Sequence, residues 1–332
     1  MIVSVIGAGT WGCALANVLA SNEHEVKIYA REKRIVDEIN ESHTNTTYFD
    51  KSVKLDESIR CFNTMEEALV DAEMVVVSVP SSAYRSVLEQ LNNLLKKKVY
   101  IVSTAKGLDR LTNERLSDVI REKIDASKRH EVVSLIGPSH AEEVIVKSLT
   151  LITATSLDLE CAEVVQKAFS NSYFRVYTNN DEIGSEYGDC LKNVIAIASG
   201  TLSGLGYGDN TRAALITRAI NEISKFGVFK GGKKETYLGL NGIGDLVVTC
   251  WSKHSRNFKA GYLIGQKDSA KEFLETNKMT VEGIATTEII YKESKANNIE
   301  MPIVEAIYNV LYKGKKPSEE VVKVMNRPLK AE

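Results

Sequence analysis

Three glycines near the N-terminus have a spacing suited to binding phosphate groups. Gly7, Gly9 and Gly12 form the pattern Gly-x-Gly-x-x-Gly between the apolar run Ile2–Ile6 and the apolar stretch Cys13–Ala20. The run predicts a strand buried on both faces, and the stretch predicts a helix. In such a unit the first glycine allows a tight turn, the second lets backbone approach a pyrophosphate, and the third lets the helix pack on the strand. The pattern therefore predicts a dinucleotide site, against the alternative of a glycine-rich loop without a ligand.

The end of the second predicted strand bears on which dinucleotide binds. That strand is predicted over residues 25–30, and an acidic residue after it usually binds the ribose 2′-hydroxyl. Arg31 stands about where the acid is expected, and Lys33 and Arg34 follow it. Because cations there can pair with a 2′-phosphate, the sequence favours NADP(H). NAD(H) stays open, since these charges are also typical of a solvated helix start that Glu32 could cap.

Polar and small residues follow two further predicted strands. Lys106 comes after the predicted strand 99–104, and the turn Gly137–Ala141 comes after the predicted strand 132–136. Ligands of open parallel sheets lie at the carboxyl ends of the strands. We therefore expect both segments on the cofactor side, although an ordinary surface lysine is the alternative for Lys106.

One lysine lies inside an apolar helical stretch in the second half of the chain. Lys192 is flanked by Leu191, Val194 and Ile195 within residues 190–198. A partly buried amine is expected to have a lowered pKa and can serve as a general acid or base. The alternative is that the side chain extends along the helix to reach solvent.

A second polar cluster follows Lys192 along the chain. Asp245 lies in the glycine-rich run 239–246, and Ser255, Arg256 and Asn257 follow it. Carboxylate, guanidinium and amide groups suit a site for a small phosphorylated or carboxylated molecule. For the triplet at 255–257, a simple helix cap is the alternative.

The order of the predicted elements divides the chain into two domains. Strand and helix patterns alternate to about residue 178, and helical patterns follow from about residue 183. We predict an α/β domain with a doubly wound Rossmann sheet at residues 1–183, which binds NAD(P). An all-α domain at residues 184–332 is predicted to bind substrate and hold the catalytic groups. The chain has 332 residues, 43% of them hydrophobic, which is enough for two cores.

Composition excludes several functional classes. A net charge of −2 gives no electrostatic case for nucleic acid or an anionic membrane as a partner. We find no apolar run that could span a bilayer and no export signal. The five cysteines are scattered and the five histidines have no helical pairing, so we expect no disulfide framework and no metal. These features fit a reduced, cytoplasmic enzyme.

Eight short motifs in this order resemble the NAD(P)-dependent glycerol-3-phosphate dehydrogenase family, most closely its bacterial type. The motifs are Gly7–Gly12, Ala105–Gly107, Gly137–Ser139, Lys192–Ala196, Ala213–Arg218, Gly242–Leu246, Ser255–Asn257 and Val281–Gly283. Each is modest alone, but eight in order over nearly the whole chain are specific. The resemblance implies reversible hydride transfer between NADP(H) or NAD(H) and dihydroxyacetone phosphate. It also implies that the product is sn-glycerol 3-phosphate for phospholipid synthesis and that the enzyme is a homodimer.

The resemblance also implies roles for individual residues. It makes Lys192 the general acid that protonates the substrate carbonyl oxygen, and the base in the reverse direction. Lys106 polarises that oxygen as a second cation, and Asp245 lies beside the catalytic lysine. The implied substrate contacts are Lys106, Gly137, Ser139, Lys192, Asn193, Asp245, Thr249, Ser255, Arg256 and Asn257. The implied cofactor contacts are Gly7, Gly9, Thr10, Trp11, Gly12, Arg31, Lys106, Ala141, Arg256, Val281 and Glu282.

Three positions depart from the residues usual in this family. His140 stands where Phe is usual, Asn241 replaces a common Ala, and Asp189 lies in a segment before Lys192 that usually holds small residues. None removes a catalytic group, although His140 and Asp189 lie close to functional positions and bear on pH dependence. Two alternatives stay open. One is another Rossmann dehydrogenase, of the lysine-dependent 6-phosphogluconate type or the 3-hydroxy acid type, and the other is a non-catalytic nucleotide-sensing module.

Overall fold

The computed structural model describes residues 1–277, 280–329 and 331. The chain forms two compact units, Met1–Glu182 and Ile183–Glu332. Within the part of the chain that the structure describes, every helix is too short or too polar to cross a membrane.

The first unit is built on one sheet, which has eight strands among the described residues. In chain order the strands β1 to β8 are Ile2–Ile6, Glu25–Tyr29, Arg60–Phe62, Met74–Val77, Tyr100–Ser103, Val133–Ile136, Thr150–Thr155 and Phe174–Asn179. Their order across the sheet is β3-β2-β1-β4-β5-β6-β7-β8. All neighbours are parallel except β6 and β7, which are antiparallel.

The strand order explains where a ligand would bind. From β1 the chain proceeds to β2 and β3 on one side, then returns to β4 on the other side. Crevices at such a reversal, outside the carboxyl ends of the strands, are the usual ligand sites of doubly wound sheets. Because β1, β4, β5 and β6 are parallel neighbours, the segments that follow them meet at one edge of the sheet.

Helices cover both faces of this sheet. The helices α1 to α7 are Thr10–Ala20, Lys33–Ser42, Met65–Ala68, Tyr84–Leu94, Leu116–Lys123, Ala141–Val144 and Leu159–Phe169. Along β4, Val76 packs in a core with residues of α1, α2 and α7, whereas Val75 and Val77 pack in a core with residues of α4 and α5. Neighbouring residues of a strand point to opposite faces, so a strand buried on both faces has a continuous apolar sequence.

A buried ion cluster lies at the end of the first unit. The Glu182 carboxylate is 0% exposed and accepts hydrogen bonds from Arg115 Nη1 at 2.8 Å, Arg121 Nη2 at 2.6 Å and Ser117 Oγ at 3.0 Å. Asp118 bonds to both arginines from the partly exposed side. The cluster lies within the first unit and joins α5 to the last residue of that unit, and we call it the Glu182 cluster.

The second unit is helical throughout its described residues. The helices α8 to α15 are Glu182–Gly204, Asp209–Phe229, Asp245–Trp251, Arg256–Lys267, Lys271–Thr276, Glu282–Ala296, Pro302–Tyr312 and Pro317–Met325. A π-helical turn, Leu240–Gly244, leads directly into α10. Such turns are rare and often occur at functional sites.

Close packing of α8 on α11 fixes the segments that carry the predicted site. A Cβ added at Gly200 of α8 would lie 2.1 Å from the carbonyl oxygen of Phe258, and one at Gly261 of α11 would lie 2.0 Å from that of Ile197. Only glycine lets the two backbones approach this closely. The contact therefore holds the two helices in a fixed arrangement.

The predicted fold class is confirmed, with differences at the level of elements. The predicted strands 99–104 and 132–136 are present as the shorter β5 and β6. The sequence analysis missed β3, which has three residues and a single buried side chain, Cys61. Such a short strand has too few residues to display an alternating pattern.

Candidate active site

The glycine turn after β1 has the geometry that a dinucleotide requires. Gly7 has φ +117°, and an added Cβ would lie 2.4 Å from the carbonyl oxygen of Ser78. A Cβ at Gly12 would lie 2.0 Å from the carbonyl oxygen of Gly7, whereas a Cβ at Gly9 would have no heavy atom within 4 Å among the described residues beyond its chain neighbours. Gly7 and Gly12 thus serve internal packing, and the open side of Gly9 leaves room for a pyrophosphate. Thr10 and Trp11 begin α1, whose first-turn N–H groups favour an anion.

Asn45 braces this turn and was missed by the sequence analysis. Its side chain is 1% exposed, and Nδ2 donates to the carbonyl oxygen of Ala8 at 2.9 Å and to Cys13 Sγ at 3.5 Å. Asn45 is 37 residues from Ala8 along the chain, so no local spacing pointed to it.

The three cationic side chains after β2 differ in their ion pairs and hydrogen bonds. Lys33 pairs with Asp37 at 3.3 Å, and Arg34 Nη2 donates to Thr47 Oγ1 at 2.7 Å. Arg31 is exposed, and its guanidinium makes no ion pair or hydrogen bond with the residues that the structure describes. Arg31 is therefore the most available cation for a 2′-phosphate. Glu32 stands at the N-cap position of α2, but its side chain makes no capping hydrogen bond.

The predicted contacts from the other strand ends lie at the same sheet edge as the glycine turn. Lys106 is half-buried and follows β5, next to Gly107 with φ +94°. After β6, Gly137 has φ +148°, and Ser139 Oγ donates to its carbonyl oxygen at 3.1 Å. Ala141 is buried and begins α6. The first unit thus brings these residues to one edge.

Lys192 is buried in the second unit, where it contacts two carboxylates. Its side chain is 1% exposed, and Nζ donates to Asp189, one turn earlier on α8, and to Asp245, the first residue of α10. We call these three residues the Lys192 cluster. An ammonium group has three N–H donors. Among the described residues only the two carboxylates accept from it, so one N–H is left for a substrate.

The alternative interpretation of Lys192 and one expectation about it are wrong. The side chain does not reach solvent, because neighbouring helices bury it. Its pKa is also not lowered. Burial alone would lower the pKa, but the charges of Asp189 and Asp245 outweigh this effect and raise the pKa of the amine above its ordinary 10.5. The resting form of the group is therefore the ammonium ion, which is the form of a proton donor.

A chain of amide hydrogen bonds lies beside this lysine. Asn257 Nδ2 donates to Asn193 Oδ1 at 2.8 Å, and the backbone N–H of Gly283 donates to Asn257 Oδ1 at 2.9 Å. This chain joins α8, α11 and α13. Ser255 caps α11 by accepting from the N–H of Phe258 at 3.2 Å, so the cap interpretation holds for Ser255.

The remaining predicted residues of the second unit lie at helix starts or beside Asp245. Thr249 Oγ1 donates to the carbonyl oxygen of Asp245 at 2.6 Å. Arg256 is exposed at the start of α11, while Val281 is buried at the N-cap of α13 and Glu282 is the half-buried first residue of that helix. No group of three or more His, Cys, Asp or Glu side chains that could hold a metal occurs among the described residues.

Comparison with known proteins identifies the family. Residues 2–162 match the N-terminal part, and residues 181–322 the C-terminal part, of NAD-dependent glycerol-3-phosphate dehydrogenase. The chain belongs to the NAD-dependent glycerol-3-phosphate dehydrogenase family. A relative from an Exiguobacterium species, named glycerol-3-phosphate dehydrogenase [NAD(P)+], is 50% identical over 99% of this chain and 96% of its own. A relative from Streptococcus thermophilus with the same name is 46% identical over 99% of this chain and 97% of its own.

Solved structures of the family agree with the fold. The crystal structure of glycerol-3-phosphate dehydrogenase from Coxiella burnetii has 31% sequence identity and a TM-score of 0.89, and the match covers 98% of both chains. The predicted family and enzyme class, a dehydrogenase dependent on NAD(P), are therefore confirmed. The alternatives of another lysine-dependent dehydrogenase and of a nucleotide-sensing module are not favoured.

Proposed function

We propose that this member of the family reduces dihydroxyacetone phosphate to sn-glycerol 3-phosphate, reversibly, with Lys192 as general acid. The observation that carries the assignment of the acid is the buried ammonium between Asp189 and Asp245, which has one N–H left to donate. The assignment of the substrate rests on the family and on the names of its relatives.

The first unit is proposed to bind the NAD(P) cofactor through the glycine turn. The open side of Gly9 and the start of α1 fit a pyrophosphate. When bound, the nicotinamide supplies or accepts the hydride. The exposed Arg31 supports pairing with a 2′-phosphate, so we propose a preference for NADP(H) with NAD(H) also accepted. Ala141, Arg256, Val281 and Glu282 stay predicted cofactor contacts from the family resemblance.

Lys192 is proposed to act on the carbonyl oxygen of the substrate. As hydride reaches the carbonyl carbon, negative charge develops on the oxygen, and a nearby proton donor stabilises this charge. The free N–H of Lys192 supplies the proton. Asp245 fixes the position of Nζ, and Thr249 packs against Asp245. In the reverse direction the neutral amine accepts the proton of the hydroxyl group.

Other predicted residues are proposed to hold the substrate. Arg256, Asn193 and Asn257 are assigned to the phosphate, which a guanidinium and amide N–H groups bind well. Lys106 is assigned to the carbonyl oxygen as a second cation, and Gly137, Ser139 and Ser255 to further substrate contacts. Binding the phosphate orients the carbonyl and converts binding energy into rate.

We further propose that the enzyme is a cytoplasmic homodimer that supplies glycerol 3-phosphate for phospholipid synthesis. The resemblance of the eight motifs to the bacterial type supports this proposal. Sedimentation equilibrium of the purified chain tests the dimer, for which we expect twice the monomer mass.

The direct test follows oxidation of the reduced nicotinamide by its absorbance. NADPH and NADH are supplied in parallel with dihydroxyacetone phosphate, and glyceraldehyde 3-phosphate serves as the control substrate. We expect oxidation only with dihydroxyacetone phosphate, and faster with NADPH. Folded protein that binds the cofactor but oxidises neither with this substrate would overturn the assignment.

A further inference from the structure

The Lys192 cluster contains one carboxylate more than the proposed mechanism uses. Asp245 contacts Nζ from α10, while Asp189 contacts it from the preceding turn of α8 itself. The Asp189 side chain is 5% exposed. A carboxylate three residues before a helical lysine lies on the same face of the helix, so the contact follows from local spacing. The family resemblance predicts a small residue in this segment.

The second carboxylate changes the charge of the cluster. With both carboxylates ionised and the amine protonated, the cluster carries one net negative charge, and loss of the proton would make it two. In a buried site that step is opposed more strongly than with one carboxylate alone. Asp189 therefore holds the proton on Lys192 more tightly than Asp245 would by itself.

Other titratable groups near the cluster do not replace this effect. The pKa of Cys190 on α8 is raised by burial and then by nearby acids, among them Glu186 on α8 and Glu282 on α13. The pKa of Cys250 on α10 is likewise raised by burial, although Arg212 of α9 acts in the opposite direction. Both thiols are thus neutral. The charges that act on Lys192 itself are those of Asp189 and Asp245.

We propose that Asp189 is a positioning residue that keeps Lys192 protonated into the alkaline range and so extends the pH range of carbonyl reduction. This inference rests on the proposed function. In each reduction the carbonyl carbon accepts a hydride, and the oxygen takes the Lys192 proton. The neutral amine is then left between two carboxylates and regains a proton from solvent. Oxidation needs the neutral amine, so its rate rises with pH until that form dominates.

The test compares Asp189→Asn and Asp189→Gly with the unmodified enzyme over pH 6 to about 11, a range that spans the ordinary lysine pKa. Asp209→Asn, the same change at a side chain that is 88% exposed, is the matched control. We expect the alkaline fall of kcat/KM for reduction to move to lower pH by about one to three units, as loss of one adjacent charge implies. By microscopic reversibility, oxidation levels off at a pH lower by the same amount. The control keeps the unmodified profile.

A spectroscopic measurement separates this proposal from the proposed function. The ¹³C resonance of the Lys192 ε-methylene, assigned by its loss in Lys192→Arg, reports protonation without any substrate. We expect it to titrate at lower pH in both Asp189 variants. An unshifted resonance, or a uniform loss of activity at every pH, would overturn the role of Asp189. Unmodified enzyme that fails to reduce dihydroxyacetone phosphate while this resonance shifts would overturn only the proposed function.

Discussion

The Glu182 cluster and the Lys192 cluster are opposite arrangements of buried charge. In the first, one carboxylate lies between the guanidinium groups of Arg115 and Arg121. In the second, one ammonium lies between the carboxylates of Asp189 and Asp245. Both central groups are almost fully buried, at 0% and 1% exposed. Burial of a compensated charge therefore does not by itself indicate chemistry.

The difference lies in proton exchange. Arginine keeps its proton at every accessible pH, and burial of Arg121 is outweighed by Glu182, which raises the pKa of Arg121 further. The cluster can only hold its elements together. Lysine can lose its proton, and among the described residues Lys192 has one N–H without an acceptor. The Glu182 cluster is therefore suited to stability, and the Lys192 cluster to the proton transfer that we propose.

The largest expected effect is on the turnover rate, and it comes from a change in the Lys192 cluster. Lys192→Met should lower kcat for reduction by about 10²- to 10⁴-fold, because the proton donor is lost. Lys106→Met should act mainly on KM and to a smaller degree on kcat. Circular dichroism and cofactor binding serve to show that each variant is folded. Near-normal turnover of Lys192→Met, together with loss of turnover in Lys106→Met, would reverse the two roles.

The matching change in the Glu182 cluster is Glu182→Gln. It removes the buried carboxylate from two partly buried guanidinium groups, which keep only more exposed acids as partners, so the free energy of unfolding should fall by about 3 kcal/mol, with kcat unchanged. Urea denaturation measures the loss. Asp118→Asn is the control, since Asp118 is 39% exposed and bonds the same arginines. Its effect should be below about 1 kcal/mol. A fall of kcat in folded Glu182→Gln would contradict the comparison.

Glu222 is a third buried acid, and it differs from both clusters because no cation among the described residues contacts it directly. Glu222 accepts from the backbone N–H groups of Ile303 at 2.9 Å and Val304 at 3.4 Å. Burial raises its pKa to about 7, and these hydrogen bonds, with the more distant Lys225 and Arg327, only reduce the shift. The folded state therefore binds a proton more tightly than the unfolded state does.

The sign of the resulting pH effect follows from this difference. The stabilisation from Glu222 is full below its ordinary pKa of 4.5 and is lost as pH rises to about 7. Relative to Glu222→Gln, the unmodified protein should lose roughly 3 kcal/mol over that range. Thermal unfolding of both proteins at several pH values measures this difference in the free energy of unfolding. A difference that does not depend on pH would show that the folded pKa is ordinary.

The smallest expected effect lies in the amide chain beside Lys192. Asn257→Ala removes the bonds to Asn193 and Gly283, and we expect KM for dihydroxyacetone phosphate to rise about tenfold, equal to about 1.4 kcal/mol. Asn221→Ala, on α9 and bonded only to Thr217 among the described residues, should leave KM unchanged. Equal changes of KM in both variants would remove Asn257 from the phosphate site.

Local patterns allowed most of the fold to be predicted, and part of the site. We could predict the glycine turn, the strand ends and the position of Lys192, because each depends on residues close together in the chain. Local sequence spacing could have predicted only one of the two partners of Lys192. Asp189 lies at helical spacing from the lysine, a signal that the sequence analysis did not use. Asp245 is 53 residues away, so only the family resemblance placed it beside the lysine, and tertiary packing brings its carboxylate to Nζ, where it raises the pKa of Lys192.

The central claim is that Lys192 contributes a proton and not only a charge. Lys192→Arg tests it most directly, since a guanidinium keeps the positive charge between Asp189 and Asp245 but retains its protons. The single-turnover rate of NADPH oxidation with saturating dihydroxyacetone phosphate is the measurement. We predict a fall of at least about 100-fold with NADPH binding unchanged. A rate close to that of the unmodified enzyme would show that the charge alone suffices and would contradict the claim.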